Sequence, residues 1–421
     1  MANVTSTMAN VTSWTGVECE ALRDAMRLKY KDFADEIGVD KRTVMRWKTG
    51  SNISRHNASQ LDALLGRVSD DVRARFVDLL CGGDNVKRRS FFKAPVAAAA
   101  GLLALGLDSD RAEWLASGAG RADSAAVAAI RQTLYAAMQL DDTLGSPAAQ
   151  GMVVAQEQVT EAMLRDCGPE IQPALLSLHA EWIGFAGALA WDAGEYPTAQ
   201  RLYNLARDKA HEAEDDDLAA YMLAGLSQLA IWQNKPRIAL DHAAAATSWI
   251  QGTSDRQLSV YVHLRMAESA AIARKDRACR DALNAAERAI DGVHPGHPSE
   301  SRAYFVGSGF FDSYVGGCLS LIGEPREAVA ASRRAIAALP ESYTRDRAVT
   351  LLELERGLVQ LDEIDEAASA VVQAVRLTEQ NRSPRLSLAI RDARRQLAPW
   401  EGSKAVRALD AELKERAIVV A

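Results

Sequence analysis

Lys41, Arg42, Thr43, Arg46 and Lys48 fall within eight consecutive residues, and Arg55 follows, with no acid anywhere from 41 to 55. On a helix Arg42 and Arg46 stand one turn apart, where each guanidinium can give two hydrogen bonds to a guanine edge. Lys41 and Lys48 suit phosphate oxygens better, as point charges on flexible stems. The chemistry on offer is recognition of double-stranded DNA. Elsewhere no set of residues is arranged for a reaction. His294 and His297 are spaced as two metal ligands could be, but Pro295 and Gly296 between them read as a turn, and no third ligand is near in sequence. The run from Gly307 to Gly309 lacks the further glycine and the lysine of a phosphate loop. Cys19, Cys81, Cys167, Cys279 and Cys318 are scattered singly, which fits reduced thiols and not zinc. The expectation is a chain that is not an enzyme and has neither cofactor nor metal.

The elements that must position the basic residues are legible around them. Phe33, Ala34 and Ile37 recur at helical spacing and predict one buried face of a first short helix. Gly38 supplies the backbone freedom to end it, and Asp40 stands where a second helix needs an N-cap. In that second helix Val44 and Trp47 point inward, which turns Lys41, Arg42, Thr43 and Arg46 outward. Ahead of the pair, Thr15 and Glu18 form a capping box. It opens a helix whose apolar positions include Val17, Ala21, Leu22, Ala25 and Leu28. Two helices joined by a tight turn, the second basic, are how a helix-turn-helix DNA reader is written.

Ala34, Gly38, Val39, Thr43, Val44, Trp47 and Gly50 match in register the pattern of the XRE/Cro class of helix-turn-helix domains, which this segment resembles. The resemblance covers roughly residues 14–80. That class opens its first motif helix with a glutamine that buttresses the DNA contact; Tyr30 stands near that place, and a tyrosine can donate to a phosphate. The DNA-binding residues implied are Tyr30, Lys41, Arg42, Thr43, Arg46, Lys48 and Arg55.

A length of 421 residues suits two or three domains, and 48% hydrophobic residues with 6% aromatic is ample for a core of close-packed, alanine-rich helices. The net charge of −7 is unevenly spread. Residues 1–80 carry 12 Lys and Arg against 11 Asp and Glu, whereas residues 121–421 carry 32 against 41. Phosphate contact is therefore expected to be local to the N-terminal reader. Four segments are expected: a disordered N-terminus over 1–13, the reader over 14–80, a hinge with an apolar helix over 81–120, and helical repeats over 121–417. Lys87 to Lys93 followed by an apolar run to Leu107 has the look of a twin-arginine export signal. It lies behind a whole domain and is too short to span a bilayer, so it reads as a helix packed on the repeats. The location expected is cytoplasmic, with no membrane partner.

The C-terminal segment repeats. Aligned on an alanine in the second helix of each pair, Ala199, Ala239, Ala278, Ala328 and Ala367 recur at spacings of 40, 39, 50 and 39 residues. Seven residues beyond each comes a further alanine, at 206, 246, 285, 335 and 374. Gly187 and Gly316 stand twelve residues before the first and fourth anchors. Helical hairpins at a fixed period predict a solenoid. The 50-residue spacing leaves a loop around Val293 to Pro298, and the acidic run from Glu212 to Asp217 reads as a solvated helix end. The repeats resemble tetratricopeptide repeats, with Gly194, Tyr196 and Ala199 in the first unit and Pro340 closing the fourth as family features. The fold class is thus all-α, a helix-turn-helix domain followed by an α-solenoid of tetratricopeptide-like hairpins. This combination is similar to peptide-sensing quorum regulators of Gram-positive bacteria and, from Trp14-Thr15-Gly16 onward, to actinobacterial regulators. The resemblance implies a homodimer on a palindromic operator. It also implies a signalling peptide or small molecule held in a groove by Asp192, Tyr221, Gln228, His263, Ser313 and Arg356. The alternative is a scaffold whose repeats recruit a protein partner and sense nothing.

Overall fold

The computed structural model describes residues 14–48, 53–69, 72, 75–76, 123–165, 167–379, 383–416 and 418. Every regular element among them is helical. The chain divides into two compact units, Met1–Ala94 and Pro95–Ala421. The expected N-terminal tail, hinge and twin-arginine-like segment lie outside the described residues. No described helix is long and apolar enough to cross a membrane.

The first unit contains α1 (Gly16–Ala25), α2 (Tyr30–Glu36), α3 (Lys41–Lys48) and α4 (Arg55–Arg67). The Thr15 amide donates to Glu18 Oε2 at 2.8 Å, as the capping box requires. Gly38 takes φ +68° at the turn that ends α2, a conformation costly for any residue with a Cβ. Asp40 Oδ1 then accepts from the Arg42 amide at 2.6 Å and caps α3. The core beneath is small and full: Leu22, Phe33, Leu61 and Phe76 are buried, and Val44 and Trp47 join them from α3.

The second unit is a stack of antiparallel hairpins. α5 (Ser124–Leu144) and α6 (Ser146–Leu164) form the first pair, and α7 (Gln172–Asp192) and α8 (Tyr196–Glu212) the second. The next two pairs are α9 (Asp216–Trp232) with α10 (Pro236–Trp249), and α11 (Arg256–Ile272) with α12 (Asp276–Ile290). After a long loop come α13 (Ser308–Leu321) with α14 (Pro325–Ala338), and α15 (Thr344–Gln360) with α16 (Ile364–Leu377). A last pair, α17 (Pro384–Gln396) and α18 (Lys404–Glu415), closes the stack. Each hairpin packs on the next, and the first helices of successive hairpins also touch, so that they line the inner, concave face.

The small residues sit where the helices cross. Ala199, Ala239, Ala328 and Ala367 are fully buried at the fourth position of α8, α10, α14 and α16. The third repeat corrects the sequence register by one residue. Its anchors are Cys279 and Ala286, both fully buried, and not the half-buried Ala278 and Ala285. A cysteine is a small apolar residue in this setting and does the work of alanine. Gly316 shows why the crossings stay small. A Cβ there would lie 2.4 Å from Ser332 Oγ, which could swing aside, and 3.2 Å from the Ala328 carbonyl and the Ser332 amide, which could not. Gly316→Ala is expected to cost about 1–3 kcal/mol through forced separation of α13 and α14. A lower midpoint of urea unfolding with an unchanged slope would show it; an unchanged midpoint would mean that the crossing has slack.

Candidate functional site

Two surfaces hold most of the residues singled out by sequence. On α3, Val44 and Trp47 are 1% and 3% exposed, whereas Lys41, Arg42 and Arg46 are exposed and Thr43 is half-buried. One helix thus carries an anchoring stripe and a basic stripe on opposite sides. Arg46 Nη2 lies 3.2 Å from Thr43 Oγ1, one turn back, which lays its guanidinium along the helix. Tyr30 is turned toward its own unit: its hydroxyl donates to Glu20 Oε2 at 2.6 Å, and the Arg23 guanidinium lies 4.2 Å over its ring. It ties α2 to α1. The side chains of Lys48 and Arg55 lie outside the described residues.

The second surface is a cavity of about 470 Å³ on the inner face of the solenoid. Its walls come from the first helices α5, α7, α9, α11, α13, α15 and α17, with Tyr203 from α8 and the loop at 302–305 contributing as well. Of the residues assigned to a ligand groove, Tyr221, Gln228, Ser313 and Arg356 line it. His263 does not. It is half-buried toward α12, where burial and then Arg288 lower its basicity. Asp192 is only 2% exposed and faces the clasp described next.

Three acids and two arginines, up to 204 residues apart, close the curve of the stack. Arg345 on α15 reaches Asp141 Oδ2 at 3.2 Å and Asp142 Oδ1 at 3.6 Å, both on α5, and Asp192 Oδ1 on α7 at 3.9 Å. Asp192 also accepts from Ser146, from Ser383 Oγ at 2.7 Å and from Arg385 Nε at 3.2 Å. Burial raises the Asp192 carboxyl, but Arg385, Arg345 and the two hydroxyls outweigh it and hold the group below the usual carboxylate range. Asp142 goes the other way: burial lifts it to about 6 despite Arg345 and the Tyr304 hydroxyl that donates to it.

The loop between α12 and α13 is pinned inside the curve. Arg302 Nη2 bonds Asp215 Oδ2 at 2.7 Å, its Nε lies 3.4 Å from Glu181, and the two N–H groups of Gln257 Nε2 are shared among the carbonyls of His294, Tyr304 and Val306. Asp215, expected to be a solvated helix end, instead caps α9 through the Leu218 amide at 2.9 Å and receives Arg302. His297 bonds Ser299 and packs edge-on against Tyr135. No cluster able to hold a metal occurs among the described residues.

Sequence reasoning missed Tyr261 and Glu268, although the signal was present. Tyr221 and Gln228 line the cavity from α9, and the residues 40 positions on are Tyr261 and Glu268, which line it from α11. Applying the period to groove positions, and not to the small anchors alone, selects Tyr261 where His263 was chosen.

No protein-family model matches the chain, and no curated protein matches it. Among solved structures, it is similar to BtubC (BKLC) from P. vanneervenii. That match is 16% identical, covers 60% of this chain and 89% of the other, and has a TM-score of 0.37. It is also similar to the tetratricopeptide domain of P58(IPK), 16% identical, with 82% and 97% covered and a TM-score of 0.20. Superpositions this loose carry no argument about function.

Proposed function

We propose that this chain is a transcriptional regulator that reads operator DNA with α3 and senses a small signalling molecule in the cavity of its helical repeats. The observation that carries the DNA half is the division of α3: Val44 and Trp47 are buried, and Lys41, Arg42 and Arg46 are exposed on the opposite side. A helix held so firmly can offer its basic edge to a major groove without rearranging. The charge asymmetry adds support, because acidic repeats would not compete for phosphate. For the sensing half, 470 Å³ falls in the range of small-molecule sites. The clasp across the inner face also favours a compact ligand over an extended peptide. A homodimer on a palindromic operator in the cytoplasm completes the reading, with ligand binding altering the spacing of two α3 helices.

The test is an electrophoretic shift with duplex DNA from beside the chain's own gene. Arg42→Ala and Arg46→Ala are each expected to weaken specific binding about 5- to 150-fold, the equivalent of roughly 1–3 kcal/mol for a bidentate base contact. Lys41→Ala should weaken all duplexes alike and flatten the salt dependence. Retention of full affinity by the Arg42 and Arg46 double variant would sink the assignment.

A further inference from the structure

Among the described carboxylates that line the cavity, Glu355 is the most deeply buried. It is 0% exposed, and neither carboxylate oxygen has a hydrogen-bond partner among the described residues. A buried acid with nothing to accept from is costly, and such groups mark places where something is still to be bound.

The surroundings say what that partner is. The lining residues include eight Asp and Glu against four Arg, so that even with Glu355 neutral the cavity keeps a formal excess of three negative charges. Arg265, buried just behind the wall beside Glu268, reduces that excess without removing it. Two other acids of the lining have cations within reach: Glu353 pairs with Arg356, and Asp392 with Arg395. Glu355 does not. The cavity is also rich in aromatic rings, ten among its lining residues, and some of these already hold cations on their faces. The Arg385 guanidinium lies 3.7 Å over Trp191, and Arg265 lies 4.1 Å over Tyr314. Aromatic faces and an unpaired carboxylate lining one cavity make a receptor for an ammonium group attached to an apolar body.

We propose that the solenoid cavity binds a small arylalkyl amine, with Glu355 as the counter-ion of its ammonium group and the cavity's aromatic rings around its apolar part. The site has the wrong charge balance for an anionic ligand and too little volume for an extended peptide. This deepens the reading of the second unit as a sensor. Binding is measured without DNA, so it stands or falls apart from operator recognition.

The experiment is titration calorimetry of the full chain with phenethylamine, with 3-phenylpropionate as the size-matched anion, at pH 7 in two buffers of different ionisation enthalpy. Phenethylamine should bind at least tenfold more tightly than the anion, and Glu355→Gln should weaken it at least tenfold. Burial holds the Glu355 carboxyl up near about 8, so it is largely protonated at pH 7. A bound ammonium would draw it into the ionised form, and wild type should release close to one proton per amine. Glu355→Gln should release none, which a merely structural carboxyl would not explain. The quenching of Trp191 and Trp232 by the amine gives a second readout of the same occupancy. Absence of heat with phenethylamine, equal affinity for the anion, or undiminished binding and proton release in Glu355→Gln would overturn the proposal.

Discussion

Arg345→Ala is expected to destabilise the helical repeats by about 3–5 kcal/mol, the cost of removing one partner from a buried charge cluster. Two of the acids it leaves behind barely reach water: the side chains of Asp141 and Asp192 are 10% and 3% exposed, whereas Asp142 at 35% is partly solvated. Asp192 keeps Arg385, Ser146 and Ser383, whereas Asp141 loses the ion pair through which it meets α15. Arg345→Lys should recover only part of the loss, because a single ammonium cannot fork between carboxylates on two helices. Thermal and urea unfolding read both variants. A change below about 1 kcal/mol in Arg345→Ala would mean that the cluster is solvated and that the stack does not depend on it. Acid titration gives a further check. The carboxyl of Asp192 is depressed in the folded chain, so its stabilisation is fully present above the usual value of 3.8 and fades as pH falls below it.

Glu355→Gln carries the opposite sign. Burial raises this carboxyl from 4.5 to about 8, with Arg356 opposing and Glu353 adding to the shift. A folded state that holds its proton more tightly than the unfolded chain loses stability as pH rises from 4.5 towards 8. Wild type is therefore expected to weaken by on the order of 3 kcal/mol between pH 4.5 and pH 7 through this group alone. The amide cannot ionise, so the variant's advantage over wild type should grow by that amount across the same interval and level off above pH 8. Unfolding midpoints of the two proteins measured at pH 4.5, 6, 7 and 8.5 decide it. A constant difference between them would show that the carboxyl is not held in its neutral form. A gain in stability also removes misfolding as an explanation for lost amine binding in the same variant.

The register of the first unit was legible because its signals are local. Gly38, Asp40, Val44 and Trp47 speak of each other across ten residues, and the positive φ, the cap and the two buried faces all sit where spacing placed them. The repeat period was legible for the same reason, as a count between small residues at helix crossings. It failed by one residue in the third repeat because the anchor there is Cys279, and a search for alanine drifts to its neighbour. Most of the cavity was not legible. Its making depends on how far the stack curves, and curvature accumulates from small rotations at each crossing that no window of sequence contains. Arg345 could not be joined to Asp141, nor Arg385 to Asp192, without knowing that the two ends of the curve meet. The Glu355 side chain reads in sequence as one more acid on an amphipathic helix, beside Glu353 and Arg356. Only its burial separates it from them.

Open helical stacks unravel from their ends, because each repeat answers only to its neighbours and the chain can give way one hairpin at a time. The bonds from α5 to α15 and from α7 to α17 remove that freedom, since neither end can fray without parting charges held by the other. The same bonds join residues 191 and 204 positions apart, so they form late, after much chain entropy has been surrendered. The stack is accordingly expected to trade speed of assembly for concerted behaviour, folding slowly and melting as a unit.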